Sequence, residues 1–258
     1  MANENLMTLV KRFLGVSSST TSRVLLVDAW RGAACLLMII YHFCYDLNYF
    51  KLVHFNFYHH PFWLSFRTFI VTLFIGIAGI SLHLATVQGV KIHTFIRRLV
   101  ILGICAAVIS LGSFLLFEQR LIFFGILHFM MLASVLAVFF CRWFWFNLIS
   151  GTSLLVIGMS VQHPFFNQPF LHWIGLMTYK PSTEDYVPLL PWFGVILIGM
   201  FVGKSLHNYG YFHRQIRFFW ILRLAKVGQH SLLVYMIHQP VLWSGLLVIK
   251  LSISHYFF

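Results

Sequence analysis

The chain has 258 residues, 60% of them hydrophobic and 9% charged, with a mean hydropathy of +0.84. A soluble domain carries roughly 25% charged residues, so the composition excludes a water-soluble globule and indicates an all-α, polytopic membrane protein surrounded by lipids. The formal charge of +12 does not argue for nucleic acid, because Lys and Arg collect in the cytoplasmic loops of membrane proteins; no nucleic-acid partner is expected.

Residues 1–23, "MANENLMTLVKRFLGVSSSTTSR", have no apolar stretch followed by a small-residue cleavage site, so they read as a cytoplasmic lead-in and not as a signal peptide. Residues 24–258 read as one transmembrane domain. A spanning helix needs about 20 mostly apolar residues. Seven segments are predicted to cross: Val24–Cys44, Pro61–Ala85, Leu99–Phe117, Leu121–Phe140, Phe144–Val161, Val187–Leu206 and Ser231–Lys250. The third and fourth, joined by the short turn Glu118-Gln119-Arg120, form a helical hairpin. Between the sixth and seventh, Tyr209–Gly228 mixes basic and aromatic residues and reads as a cytoplasmic interfacial helix or a basic collar.

The loops orient the chain. Lys11, Arg12, Arg23, Lys91, Arg97, Arg98, Arg142, Lys204, Arg214, Arg217, Arg223 and Lys226 fall on one side; only Lys51, Arg67, Arg120, Lys180 and Lys250 fall on the other. The N-terminus is therefore expected inside and the C-terminus outside. Asp46, Glu118, Glu184 and Asp185 lie on the outer side, which suggests a polar site there, while Asp28 sits at the cytoplasmic end of the first span. Cys35, Cys44, Cys105 and Cys141 lie in apolar runs without a CxxC pair and read as small core residues, with no disulfide framework or metal site implied.

The first span carries the chemistry. Arg31 and His42 are eleven residues apart, which on a helix is about three turns, so they share a face about 16 Å apart along the axis. Asp28, Cys35, Met38 and Asp46 fall on or near the same stripe. His42 and Asp46 are spaced i, i+4, so their side chains can meet, and a carboxylate beside an imidazole supports a general base. Ionisable groups inside a span face the protein interior or a wet cavity; the blander readings are a snorkelling arginine and a core histidine. Ser231, Tyr235 and His238 share a face of the last span, and Gly125 and His128 lie one turn apart in the fourth.

"LVDAWRGAACLLMIIYHFCYDLNYF" (Leu26–Phe50) resembles the first helix of the transmembrane acyltransferases. More narrowly it resembles bacterial relatives of the heparan-alpha-glucosaminide N-acetyltransferase catalytic domain. "GILHFMMLAS" (Gly125–Ser134), "DYVPLLPWFGVILIGMFVGK" (Asp185–Lys204) and "GQHSLLVYMIHQPVL" (Gly228–Leu242) extend the resemblance in the same order over nearly the whole chain. In the wider superfamily a basic residue, ten intervening residues and a histidine mark the first active helix, and Arg31 and His42 fit. The resemblance implies a multi-pass protein of the plasma (inner) membrane. It also implies acetyl-CoA or another acyl-CoA as cytosolic donor, an outer-face glycan or amino sugar as acceptor, and no metal.

On that reading Arg31 and Asp28 in the bundle, with Arg97, Arg98, Arg223 and Lys226 at its rim, meet the donor. His42 takes the acceptor's proton and Asp46 orients it; an acyl-histidine intermediate stays open. In the narrower branch the catalytic histidine sits in the loop after the first helix, where His54 lies, followed by His59 and His60, so His54 is the second choice. His128, Ser231, Tyr235, His238 and Gln239, with Trp192 and Asp185, would line the channel or bind the thioester oxygen. A homodimer is compatible with the sequence. The competing classes are a proton-coupled transporter or lipid flippase, for which an inverted repeat would speak, a haem or quinone protein, for which facing histidine pairs would speak, and a scaffold.

Overall fold

The computed structural model describes residues 24–256 apart from 88, 90, 91, 117–120, 182, 184 and 214–217. The lead-in 1–23, the turn at 118–120 with Glu118 and Arg120, and Lys91, Glu184, Arg214 and Arg217 lie outside the described residues. The described chain is helical and without strands: α1 Leu25–Tyr49, α2 Pro61–Val87, α3 Ile92–Leu116, α4 Ile126–Val138, α5 Phe144–Ser160, α6 Leu189–Asn208, α7 Phe219–Gln229 and α8 Ser231–Tyr256. In lipid a backbone must satisfy its own hydrogen bonds, and a helix does so within one segment.

Each predicted span coincides with a helix, with shifted ends. Helix α1 runs five residues past Cys44, so Asp46 stands on the helix and not beyond it. Residues 121–125, predicted to open the fourth span, are not helical; α4 starts at Ile126. Of the basic-aromatic stretch Tyr209–Gly228, the part from Phe219 on forms α7, where exposed Phe219 and Trp220 precede Arg223 and Lys226. Helices α1, α2, α3, α6 and α8 are long and apolar enough to cross a membrane. Helices α4 and α5, with 13 and 17 residues, are only about 20 and 26 Å long, against a hydrocarbon core of about 30 Å. The protein is a multi-pass membrane protein: α3 and α8 leave most of their apolar side chains uncovered, as a lipid-facing surface requires.

The chain divides into two compact units, Ile75–Phe212 and Thr21–Phe74 with His213–Phe258; α2 contributes to both. In the second unit α1 crosses α7 at bare glycines. A Cβ on Gly32 would run into the carbonyl of Leu224, and one on Gly228 into the carbonyl of Asp28. Without side chains the two backbones touch, the small-residue packing that membrane helices favour. Helix α1 also lies along α8. His42 meets His238, Asp46 meets Gln239 and Phe50 meets Trp243; rising numbers pair with rising numbers, so the two helices run in the same direction.

Helix α1 ends in a reversal centred on Lys51, at φ 61°, with Lys51 N–H donating to Asn48 O (3.0 Å) and Leu52 N–H to Leu47 O (2.9 Å). The segment after it folds back onto the helix. Phe57, 2% exposed, packs on Tyr41, Tyr45 and Trp63. Phe55 N–H donates to Asn48 Oδ1 at 2.7 Å, and the Tyr45 and Tyr58 hydroxyls hydrogen-bond at 2.8 Å.

In the Ile75–Phe212 unit, Gly76 and Gly79 of α2 press on Gly199 of α6, and Gly203 packs on Ile80 and His83, again in parallel sense. Helices α5 and α6 are antiparallel, meeting at Gly151 and Gly194 and stacking Phe144 on Phe201 at 4.4 Å. The α5–α6 connection is organised by Asn167, whose side chain binds the backbone and hydroxyl of Thr178 and whose carbonyl accepts from the Tyr179 hydroxyl. Its Gly175, at φ +97°, leaves no room for a side chain beside Leu190 O and Pro188; the neighbouring Ile174 and Trp173 carbonyls accept from Leu190 and Leu189 N–H and so seat the start of α6.

Candidate functional site

Four of the residues expected to do chemistry come together between α1 and α8. The rings of His42 and His238 lie 4.9 Å apart, tilted by 60°. One turn further along α1, Asp46 is 1% exposed, and its Oδ1 accepts from Gln239 Nε2 at 2.8 Å. Sequence spacing suggests that Asp46 serves His42; the structure adds a partner on the other helix that ties the carboxylate down. Gln239 Oε1 is buried without a hydrogen-bond partner. His238 Nδ1 lies 2.7 Å from the Tyr235 carbonyl and must carry the hydrogen there, since a carbonyl only accepts. Its Nε2 is buried and without a partner. Tyr235 packs beside His238 and against the Met38–Tyr41 core. Ser231, half-buried, opens α8 about two turns before His238. His54 stands exposed on the segment after α1.

His128 and Asp185 form a separate group in the Ile75–Phe212 unit. His128 Nδ1 accepts from Gly125 N–H at 3.3 Å, so Nε2 carries the hydrogen and faces Ser110 Oγ at 3.3 Å; that hydroxyl donates onward to Ile122 O at 2.5 Å. Asp185 Oδ2 accepts from Ile126 N–H at 2.9 Å. A carboxylate and an imidazole thus satisfy N–H groups that the first turn of α4 leaves open. The same carboxylate fills the space a Cβ on Gly125 would take. Nearby, Tyr186 donates to the His172 carbonyl at 2.7 Å, and burial pushes its hydroxyl pKa well above the ordinary value. Trp192 is half-buried in the first turns of α6.

Residues 23–240 match the family model of the heparan-alpha-glucosaminide N-acetyltransferase catalytic domain. The chain belongs to this family. No curated protein and no solved structure gives a significant match. The matched stretch opens just before α1 and closes just after Gln239, so it takes in the whole α1–α8 cluster.

Of the residues expected to meet the donor, Arg31 is half-buried and its Nη1 lies 2.9 Å from Oδ1 of the buried Asp28. An anionic carboxylate is a poor partner for phosphate, and this geometry gives Asp28 the task of holding the guanidinium. Arg223 lies over the Phe219 ring at 4.1 Å, and Lys226 is exposed, both on α7. Arg97 and Arg98 stand in the first turns of α3, in the Ile75–Phe212 unit. No cluster of three or more metal-ligating side chains occurs among the described residues.

Sequence reading does not single out two features. The buried His83 faces His207 at 6.3 Å between ring centres; nothing in the spacing of residues so far apart announces it. The glycine contacts had a signal, since Gly199 and Gly203 form a GxxxG pair.

Proposed function

We propose that this protein is a membrane acetyltransferase that moves an acetyl group from cytosolic acetyl-CoA to an amino-sugar or sugar-hydroxyl acceptor at the outer face of the plasma membrane. The observation that carries the reading is the coincidence of the family match with the His42–His238 and Asp46–Gln239 contacts between α1 and α8.

In this mechanism Arg31, held by Asp28, meets a donor phosphate as a charge-assisted partner, and Arg223 and Lys226 of the same unit supply further positive charge. The thioester reaches His42 along the face that it shares with Arg31. His42 takes the proton from the acceptor's amine or hydroxyl; the nitrogen or oxygen electron pair bonds to the thioester carbonyl carbon; the carbon–sulfur bond breaks; and the proton passes to sulfur to give free CoA. Asp46 supports the transient imidazolium by its charge.

The seven-span topology read from the sequence agrees with the helix directions, as does one of five spans. Because α1 and α8 run in parallel, an odd number of crossings separates them, and the parallel α2–α6 and antiparallel α5–α6 contacts require that α4 and α5 both cross or both do not. With the basic loops inside, the N-terminal end of α1 is cytoplasmic and the C-terminal end of α8 is outside.

The test is incubation of the purified protein with radiolabelled acetyl-CoA, with and without glucosamine. Label on the sugar with release of free CoA is expected. Tight binding of acetyl-CoA with no CoA release counts against an enzyme. His54→Ala is the control for the site: if it abolishes transfer while His42→Ala leaves it near normal, the base belongs to the segment after α1.

A further inference from the structure

The His238 ring is in an unusual condition for a buried histidine. Nδ1 is committed to the Tyr235 carbonyl at 2.7 Å, so the neutral ring carries its hydrogen there and Nε2 is a lone pair. Nε2 is buried without a hydrogen-bond partner, in a residue 9% exposed. The ring of His42 stands 4.9 Å away between centroids, tilted by 60° to the His238 ring and so not stacked flat on it. Hydrogen bonds of catalytic groups are often long before substrate binds and tighten in the reacting complex. An acceptor-only nitrogen can bond a neighbouring imidazole in one way: through a ring nitrogen of that imidazole that carries its hydrogen.

We propose that His238 positions His42, its Nε2 lone pair accepting a ring N–H of His42 and leaving the other His42 nitrogen as the lone pair that takes the acceptor's proton. This rests on the acetyl-transfer reading of the same site. The order of bonds is Tyr235 C=O, H–Nδ1 of His238, Nε2 of His238, H–N of His42, and then the free nitrogen of His42 facing the acceptor. During transfer the acceptor's proton goes to that free nitrogen and from there to the departing CoA sulfur. His238 gives up no proton and gains none, and its hydrogen bond to His42 strengthens while His42 is charged. Asp46, anchored by Gln239, contributes charge, and the tautomer is set from α8.

The experiment uses the full chain in nanodiscs with ¹⁵N-labelled histidine, with acetyl-CoA and glucosamine for turnover. In the wild type, His42 is expected to show a single neutral tautomer. His238→Phe keeps the ring volume without the lone pair; mixed His42 tautomers and a fall in kcat on the order of 10²-fold are expected, with the KM for acetyl-CoA unchanged. His238→Gln, whose amide oxygen also accepts, should restore a single tautomer and most of the turnover. The proposal is overturned if His42 keeps one tautomer in His238→Phe, if a folded His238→Gln is as mixed and inactive as His238→Phe, or if Asp46→Asn alone scrambles the tautomer. Should His238→Phe not fold, His238→Leu takes its place. If the wild type transfers no acetyl at all, the enzyme reading fails, while the tautomer measurement still decides the positioning role.

Discussion

His128 on α4 and His238 on α8 are both enclosed histidines near the start of an apolar helix, and their surroundings differ in one respect. Around His128 both ring nitrogens are used, one by the Gly125 amide and one by the Ser110 hydroxyl. Around His238 one nitrogen is used and the other is left without a partner. Leaving a buried polar atom unmet costs about 1–3 kcal/mol, so a protein tolerates it where the atom has a task in another state. The first histidine closes a helix end; the second keeps a lone pair in reserve next to His42. Residue type does not separate them, and the hydrogen-bond inventory does.

The sharpest way to break this contrast is to remove one histidine from each region. His42→Ala is expected to lower acetyl transfer by about 10²–10⁴-fold, or ~3–5 kcal/mol of barrier, while thermal stability and acetyl-CoA binding stay near wild type. His128→Ala should do the reverse, lowering the unfolding temperature in detergent while each folded molecule keeps its turnover. If His128→Ala instead stops transfer without loss of stability, the two histidines are not different in kind.

Next in size is the α1–α7 crossing that sets the base of the α1–α8 site. Gly228→Leu drives a side chain into the Asp28 carbonyl, and overpacking of this sort costs about 1–3 kcal/mol. A drop in the melting temperature together with weaker acetyl-CoA binding is expected, because Asp28 and Arg31 move with the backbone. The cap of α4 is the smaller counterpart. Asp185→Ala removes the acceptor for Ile126 N–H and should cost about 0.5–2 kcal/mol in denaturant or thermal unfolding, with acetyl transfer by the folded fraction retained. Lys51→Gly is expected to have the smallest effect and the opposite sign. Lys51 holds a left-handed conformation, φ 61°, which costs a side-chain-bearing residue about 1–2 kcal/mol; the extra backbone entropy that glycine loses on folding offsets about 0.5–1 kcal/mol of this, so glycine should raise the melting temperature slightly.

Much of the architecture was legible in the sequence because lipid imposes a simple rule. A run of apolar residues long enough to cross must be helical, and each of the predicted spans contains a helix, as does the second half of the basic-aromatic stretch, which forms α7. The ends were less legible. Asp46 and Tyr49 are polar enough to suggest that the first span stops at Cys44, yet the helix continues because Phe50 and Trp243 cover its last turn. The fourth run begins with apolar residues 121–125 that stay non-helical, with the Ile122 N–H donating to Ser113 Oγ and the Phe124 carbonyl accepting from Val187 N–H.

Of the candidate site, sequence alone determined the Arg31–His42 stripe, since helical periodicity follows from residue spacing, and the membership of α1, α4, α6 and α8 in one family pattern. Tertiary structure decided which polar groups meet across helices: His42 with His238, Asp46 with Gln239, and Asp185 with the start of α4. Those partners are separated by 196, 193 and 59 positions. Local periodicity carries no information over such distances. The pairing depends on helix direction and on how closely the backbones approach at Gly32 and Gly228, and these are properties of packing and not of any one segment.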